Sequence, residues 1–388
     1  MKIRFLLILN LALFFFGHAV FSQDPTVEKI AEGFMFTEGP VMLDSDILLF
    51  SDIPANTVYQ WTADAGKSVY LTPSGNSNGL YLDRNGKLLL AQHGSRQVAR
   101  LESDMSLTPL ATHYNEKRLN SPNDLVQHSD GSVFFTDPPY GLNDQGGTSE
   151  LGYNGIYRIS PSGEVQLLDN SLYRPNGIGL SPDESRLYVS DTESRIVYVW
   201  DLTETFTLSN KRQLARMQGV GGADGMTVGR NGRLFVTGPE GVWVIEPDGT
   251  IVTTIAVPGQ TTNCCWSGPN QTALYVTSGN AVYKIELNDL ATGIRQGRQM
   301  PQSPFLFGNY PNPFNDSTKI RFQLFQTEHV RLTVYNIHGE SIRQLFNQVL
   351  SPGTYQIPWH VSEYASSQYI YALTTESGTE TGRCLYIK

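Results

Sequence analysis

Cysteine is scarce in this 388-residue chain, with three in all. Cys264 and Cys265 are adjacent and Cys384 lies far away, so neither a disulfide framework nor a zinc-type cysteine spacing is available. Charge is thin as well: charged residues make up 17% and the formal net charge is -9. An acidic chain is a poor partner for phosphate backbones, which sets nucleic-acid binding aside. Long helical patterns are missing, and "LNDLATGIRQ" would make a turn or two at most. After the first residues no apolar run approaches the ~20 residues that a spanning helix needs. No Ser-His-Asp arrangement, G-x-S-x-G motif or Cys-His pairing is visible, which removes the familiar routes to a nucleophilic hydrolase.

What is present instead is glycine (36) and proline (21), with Tyr and Phe outnumbering Trp. That mix favours many short strands joined by tight turns. The chain opens "MKIRFLLILNLALFFFGHAVFSQ", with Lys2 and Arg4 ahead of an apolar stretch from Phe5 to Phe16. Residues 1–22 read as a secretory signal peptide cut after Ser22. Its removal takes away two positive charges and leaves a mature chain at -11.

Six segments repeat one pattern: a polar head residue, a short apolar strand, a turn built on Asp, Asn or Gly, and a second strand. They begin at Glu38, Asn78, Asn123, Asn176, Asp224 and Asn263, at spacings of 40, 45, 53, 48 and 39 residues. That period is the period of a propeller blade. Segments such as "TVYQWTA", "QVARLES" and "IVYVWDL" fall between the repeats and read as outer strands. "TVEKIAEGF" at the start is expected to pair with "AVYKIELND" and close the ring. The expected fold is therefore all-β, a six-bladed β-propeller over residues 23–290.

A propeller brings equivalent positions of successive blades round one axis. The six heads then converge near one mouth of the channel, two carboxylates and four carboxamides. Oxygen donors of this kind suit a hard divalent cation, and metal-assisted hydrolysis is the economical chemistry. His93 in "AQHGSRQVAR" and Tyr140 in "TDPPYGL" fall just past second strands, where they line the mouth. Asp137 reads as a strand-end cap, and Asn263 as a residue holding a turn or the first strand.

The stretch from about Val27 to Leu287 resembles the SMP-30/gluconolactonase/luciferin-regenerating family of six-bladed propellers. The motifs that carry the resemblance are "FTEGP", "SNGLYLDRNGKLLLAQHGSRQVARL", "LNSPNDLVQHSDGSVFFTDPPYGL", "RPNGIGLSPDESRLYVSDT", "ADGMTVGRNGRLFVTGPEGVWVIEPDG" and "TNC". The resemblance implies a lactonase, gluconolactonase-like, with one divalent metal held by Glu38, Asn176 and Asp224. Calcium is the first expectation, with magnesium, manganese and zinc as the other ions. Asp224 would also be the catalytic acid/base. Asn123 would bind substrate or complete the shell, and Asn78, His93 and Tyr140 complete the substrate-binding set. Two departures stand out: Ala223 replaces the Pro before the catalytic Asp, and Ala91-Gln92 replaces Cys-Glu.

After a linker over 291–304 the pattern changes. Residues 305–388 alternate strands with Gly/Pro turns and read as a small β-sandwich. From "FLFGNYPNPFNDSTKIRFQL" onward the tail resembles the C-terminal sorting domain of the type IX secretion system, with Ser366-Ser367-Gln368-Tyr369 where Ser-Gly-x-Tyr is usual. The partners so implied are a small-molecule lactone and the secretion machinery, with no nucleic acid and no membrane span after signal removal. The expected location is secreted or cell-surface. The alternative is a non-enzymatic propeller that binds a small molecule or a surface partner. A metal-free condensing or lyase-type activity on the same fold is a third reading, and Glu38 and Asp224 argue against it.

Overall fold

The computed structural model describes residues 25–287 and 304–388, apart from 45, 145, 269, 270, 325, 326, 352, 362 and 363. The expected signal peptide, its expected cleavage point and the expected linker up to residue 303 lie outside the described residues, as does "LNDLATGIRQ" beyond Leu287. Among the described residues no helix is long and apolar enough to cross a membrane. Contacts divide the chain into two units, Met1–Gly293 and Ile294–Lys388.

The first unit is a six-bladed β-propeller of six four-stranded antiparallel sheets. The innermost strands of the first five blades are Thr37–Asp44, Ser77–Leu82, Leu125–Gln127, Pro175–Leu180 and Met226–Val228. The sixth blade is composite. Thr261–Trp266, Ala273–Ser278 and Ala281–Glu286 come from the end of the propeller, and Thr26–Glu32 from its start. Thr26 pairs with Glu286, so the expected ring closure is present.

Blades stack face to face, so their second strands are buried on both sides. Leu88–Gln92 and Val133–Asp137 are buried at every position, which is why these strands are nearly continuous apolar runs. Each seam between blades has its own apolar cluster. Phe134, Ile178, Val189 and Trp200 fill the seam between the third and fourth blades, and Phe235, Val244, Cys264 and Val276 the one between the fifth and sixth. Each such side chain contributes about 1.5–3 kcal/mol by leaving water.

The heads are aimed by local irregularity. The ladder slips between Glu38 and Val41, between Ser77 and Leu80, between Pro175 and Ile178, and between Thr261 and Asn263. Such bulges turn a side chain out of the sheet plane. In the third and fifth blades, ladder pairing begins only at Leu125 and Met226, just after Asn123 and Asp224.

Close approach between blades then sets the spacing. A Cβ on Gly39, at φ +47°, would stand 2.1 Å from the carbonyl oxygen of Asn78, and one on Gly177 would stand 2.5 Å from that of Asp224. Glycine follows these heads because nothing larger fits. Hydroxyls on or beside the second strands tie one blade to the next. Thr136 Oγ1 donates to Asn176 O at 2.7 Å, Ser190 Oγ to Asp224 O at 2.6 Å, and Thr262 Oγ1 to Thr37 O at 2.8 Å.

The second unit packs a three-stranded sheet (Phe305–Tyr310, Ser317–Leu324, Gly353–His360) and a four-stranded sheet (Ser341–Leu350, Glu328–Tyr335, Ser367–Thr374, Thr379–Tyr386) around Phe322, Trp359, Tyr369 and Tyr371. This is the expected β-sandwich. Its Asn-Tyr-Pro-Asn-Pro-Phe opening is stitched to the last strand. Leu385 N donates to Asn312 Oδ1 at 2.8 Å, and Phe314 is buried against Trp359 and Tyr386.

Candidate active site

Burial and charge concentrate at the centre of the ring. Glu38 is 4% exposed, and its carboxylate accepts the Gly39 N–H at 3.0 Å. Burial first, and then the negative charge of Asp224, push its carboxyl well above the usual range. Asp224 keeps partial access to solvent, but its Oδ1 is buried with no hydrogen-bond partner. Burial raises its pKa too, while a hydrogen bond from Asn176 pulls the other way. Asn176 is held by Thr192, whose Oγ1 accepts from Nδ2 at 3.1 Å and donates to Ala223 O at 2.9 Å.

Two further residues join this centre. Asp124 is buried and pushed up to about 7, mainly by desolvation. The Leu125 N–H at 2.9 Å and the Ile178 N–H at 3.3 Å partly offset that cost. Asn263 does hold its strand, because its Oδ1 accepts the Cys264 N–H at 2.8 Å. Its carboxamide also hydrogen-bonds toward Glu38 and Asp124.

The remaining expected residues are placed as follows. Asn78 and His93 are buried, and Asn78 Nδ2 lies 3.1 Å from His93 Nε2. Burial drives the imidazole down to about 4, so it is neutral at pH 7. Asn78 Oδ1 and His93 Nδ1 are buried without partners. Asn123 is 3% exposed; its main chain bonds to Gly79 and Thr136, and its side chain makes no hydrogen bond to the described residues. Tyr140 begins a five-residue helix, α1 (Tyr140–Asp144), where the sequence shows only a loop. Its buried hydroxyl has no partner of good geometry, although Thr192, Asn176 and Asp224 are its polar neighbours, and desolvation pushes the phenol up to about 12.

Asp224 is thus the shared neighbour of Glu38, Asn176 and Tyr140, and Asn78 with His93 form a second pair. Asp137 is a cap: its Oδ2 accepts the Asn120 N–H at 2.7 Å. Gln92, which stands where the family has Glu, is spent on the loop, donating to Ser74 O at 2.6 Å. Asp124, Thr192 and Arg174 are neighbours that the sequence did not single out. Asp124 follows the head Asn123 and Arg174 lies two positions before Asn176, whereas Thr192 comes just past the second strand Arg186–Asp191, and no chemical pattern marks any of the three.

The centre fits a divalent ion. Two carboxylates crowd each other with an orphaned oxygen between blades, and all the convergent donors are oxygens, as calcium or magnesium requires. Among the described residues no three His, Cys, Asp or Glu side chains converge as metal ligands. Beside the two carboxylates, the Asn176 carboxamide is a neighbouring oxygen donor, hydrogen-bonded to Asp224.

Fold and site together define a six-bladed propeller with an acidic, carboxamide-lined centre. Comparison with known proteins places it more closely. The profile described as "SMP-30/Gluconolactonase/LRE-like region" matches residues 36–280, and that of a secretion system C-terminal sorting domain matches residues 309–388. The chain belongs to the SMP-30/gluconolactonase/LRE-like family and carries a secretion sorting domain. It is 38% identical over 292 residues to the gluconolactonase of Zymomonas mobilis, covering 68% of this chain and 82% of that one. A gluconolactonase structure from Xanthomonas campestris superposes with a TM-score of 0.64 at 31% identity, covering 68% and 89% of the two chains. Regucalcin of Agrobacterium tumefaciens, described as a calcium-binding protein, shares the fold with a TM-score of 0.58 at 22% identity, over 68% and 94%.

Proposed function

We propose that this protein is an exported, divalent-metal-dependent lactonase that opens a sugar lactone such as glucono-1,5-lactone. That it is a lactone hydrolase rests on its identity to gluconolactonases. The observation that carries the metal-dependent reading is the Glu38–Asp224 pair with the unpartnered Oδ1 of Asp224.

Glu38, Asn176 and Asp224 would hold the ion, with calcium the first choice. When bound, it supplies positive charge that polarises a lactone carbonyl and makes water more acidic. Asp224 takes the proton of the attacking water at a carboxylate oxygen and returns it to the ring oxygen as the ester bond breaks. Asn123, with its side chain uncommitted, meets the substrate hydroxyls. The neutral Asn78–His93 pair and Tyr140 line the remaining wall and orient the ring.

The signal peptide of residues 1–22 and the sorting tail of 305–388 would carry the protein across the two membranes by type IX secretion, leaving it secreted or surface-attached. The test is a lactone panel on metal-stripped mature protein, with calcium, magnesium, manganese and zinc restored in turn. Hydrolysis that returns with one of them is the expected result. Undiminished hydrolysis after stripping would refute metal dependence, and no hydrolysis with any ion would refute the lactonase.

A further inference from the structure

Hydrogen-bond accounting around Asp224 leaves one donor unspent. The Ser190 hydroxyl is given to Asp224 O and the Thr192 hydroxyl to Ala223 O. The Asn176 amide is given to Thr192 and Asp224, and the Asn263 amide is turned to Glu38 and Asp124. The Tyr140 hydroxyl is buried with no partner at hydrogen-bond geometry, although Thr192 and Asn176 lie close enough to temper the upward shift of the phenol and Asp224 is its charged neighbour. A buried hydroxyl left this way costs free energy unless a ligand completes it.

The ring that carries this hydroxyl is held from two sides. The Arg174 guanidinium carbon lies 5.7 Å from the centroid of the Tyr140 ring, within cation–π range, and Arg174 Nε is 3.6 Å from Glu193 Oε2. Behind it, α1 is seated too closely to slide. A Cβ on Gly141 would stand 2.7 Å from His93 Cβ and 2.9 Å from Ser121 Cβ. Ser121 Oγ accepts the Gly141 N–H at 3.0 Å and donates to Pro138 O at 2.6 Å.

We propose that Tyr140 donates its hydrogen bond to the ring oxygen that leaves the acyl carbon, and that Arg174 is the positioning residue that holds the phenol there. This rests on the lactonase reading. Water oxygen bonds to the acyl carbon, the bond from that carbon to the ring oxygen breaks, and its electron pair goes to the ring oxygen. The proton lost by water passes by way of Asp224 to that oxygen, giving a hydroxy acid. The phenol stays protonated throughout and stabilises the charge that builds on the leaving oxygen. A carboxylate that is ionised to accept water's proton cannot do this at the same moment, because in that form it offers no hydrogen.

The test compares two six-membered lactones on mature protein at saturating metal: glucono-1,5-lactone, which releases an alkoxide, and dihydrocoumarin, which releases a less basic phenoxide. Tyr140→Phe should lower kcat on glucono-1,5-lactone roughly 10²-fold, the scale of losing one oxyanion donor, with KM changed little. The loss on dihydrocoumarin should be at least roughly tenfold smaller, because a weaker base needs less help. Arg174→Met should lower kcat in the same direction, and Arg174→Lys should recover part of it. A rise in KM alone, or equal losses on both lactones, overturns the proposal while leaving the lactonase standing. Wild-type protein that hydrolyses neither lactone overturns both. Unchanged thermal midpoints in the variants exclude misfolding as the cause.

Discussion

The hydroxyl of Ser190 donates to the main-chain carbonyl of Asp224 at 2.6 Å, a bond that crosses from the fourth blade to the fifth. It fixes the height of the Asp224 carboxylate from outside its own strand. Ser190→Ala should cost about 1–2 kcal/mol in urea unfolding. It should also lower kcat by up to roughly tenfold, since misplacing a catalytic group is expensive. Loss of stability with unaltered kcat would mean that the bond serves the fold alone.

Asp224→Ala should lose roughly 10²–10⁴ in kcat, the range for removing a general acid–base. Asn263→Ala should lose far less, although both residues head a blade. Asn263 hydrogen-bonds toward Glu38 and Asp124, whereas in the proposed mechanism Asp224 meets the reacting atoms. Steady-state kinetics on the best lactone, with circular dichroism to confirm folding, gives the comparison. Equal losses would place the chemistry on the wrong blade.

Glu38→Gln keeps the shape of the side chain and removes one of two central negative charges. Metal affinity measured by calorimetry should fall, and Asp224→Asn should lower it as well. Unchanged affinity in both variants would show that the ion binds elsewhere.

His93 makes stability depend on pH. Its imidazole takes a proton near 6.5 when unfolded but only near 4 when buried. The unfolded chain therefore binds more protons between those values. Stability is complete above about pH 6.5 and falls as pH drops toward 4, by up to about 3 kcal/mol. His93→Gln should flatten that part of the profile in denaturant titrations at pH 7.5, 5.5 and 4.5. An identical slope in the variant would contradict this assignment.

Deleting Phe305–Lys388 should leave a folded, active propeller retained in the periplasm, because each unit has its own core. Cell fractionation and a lactonase assay read the two outcomes separately. Normal release of the truncated protein would remove the case for the tail as an export signal.

The sequence made the ring of heads visible because the period is regular and every head carries side-chain oxygen. The pairing of Thr26–Glu32 with Ala281–Glu286 was visible for a related reason, as both are alternating strands left over at the two ends. Three features were hidden. Asp-Pro-Pro-Tyr-Gly carries two prolines and no helical periodicity, so nothing in the sequence marks α1. Arg174 sits over Tyr140, 34 positions earlier in the chain, and only the neighbouring blades bring them together. Asp124 looks like a turn residue until Ile178, from the next blade, donates to it. Periodicity shows which positions face the axis. It is silent on contacts made across a seam.

The composite sixth blade bears on how the molecule forms. Thr26 and Glu286 are 260 positions apart, so the ring is shut by its most non-local contact. The entropy of closing so long a loop must be met before that pairing is rewarded. The first strand to leave the inner membrane would therefore wait for the last blade to follow it. Until then the chain is an open arc with bare strand edges at both ends, and Glu38 and Asn263 are not yet neighbours. Closing the ring and assembling the acidic centre are thus the same late event, and on the proposed export route it would be completed outside the compartment where the chain is made.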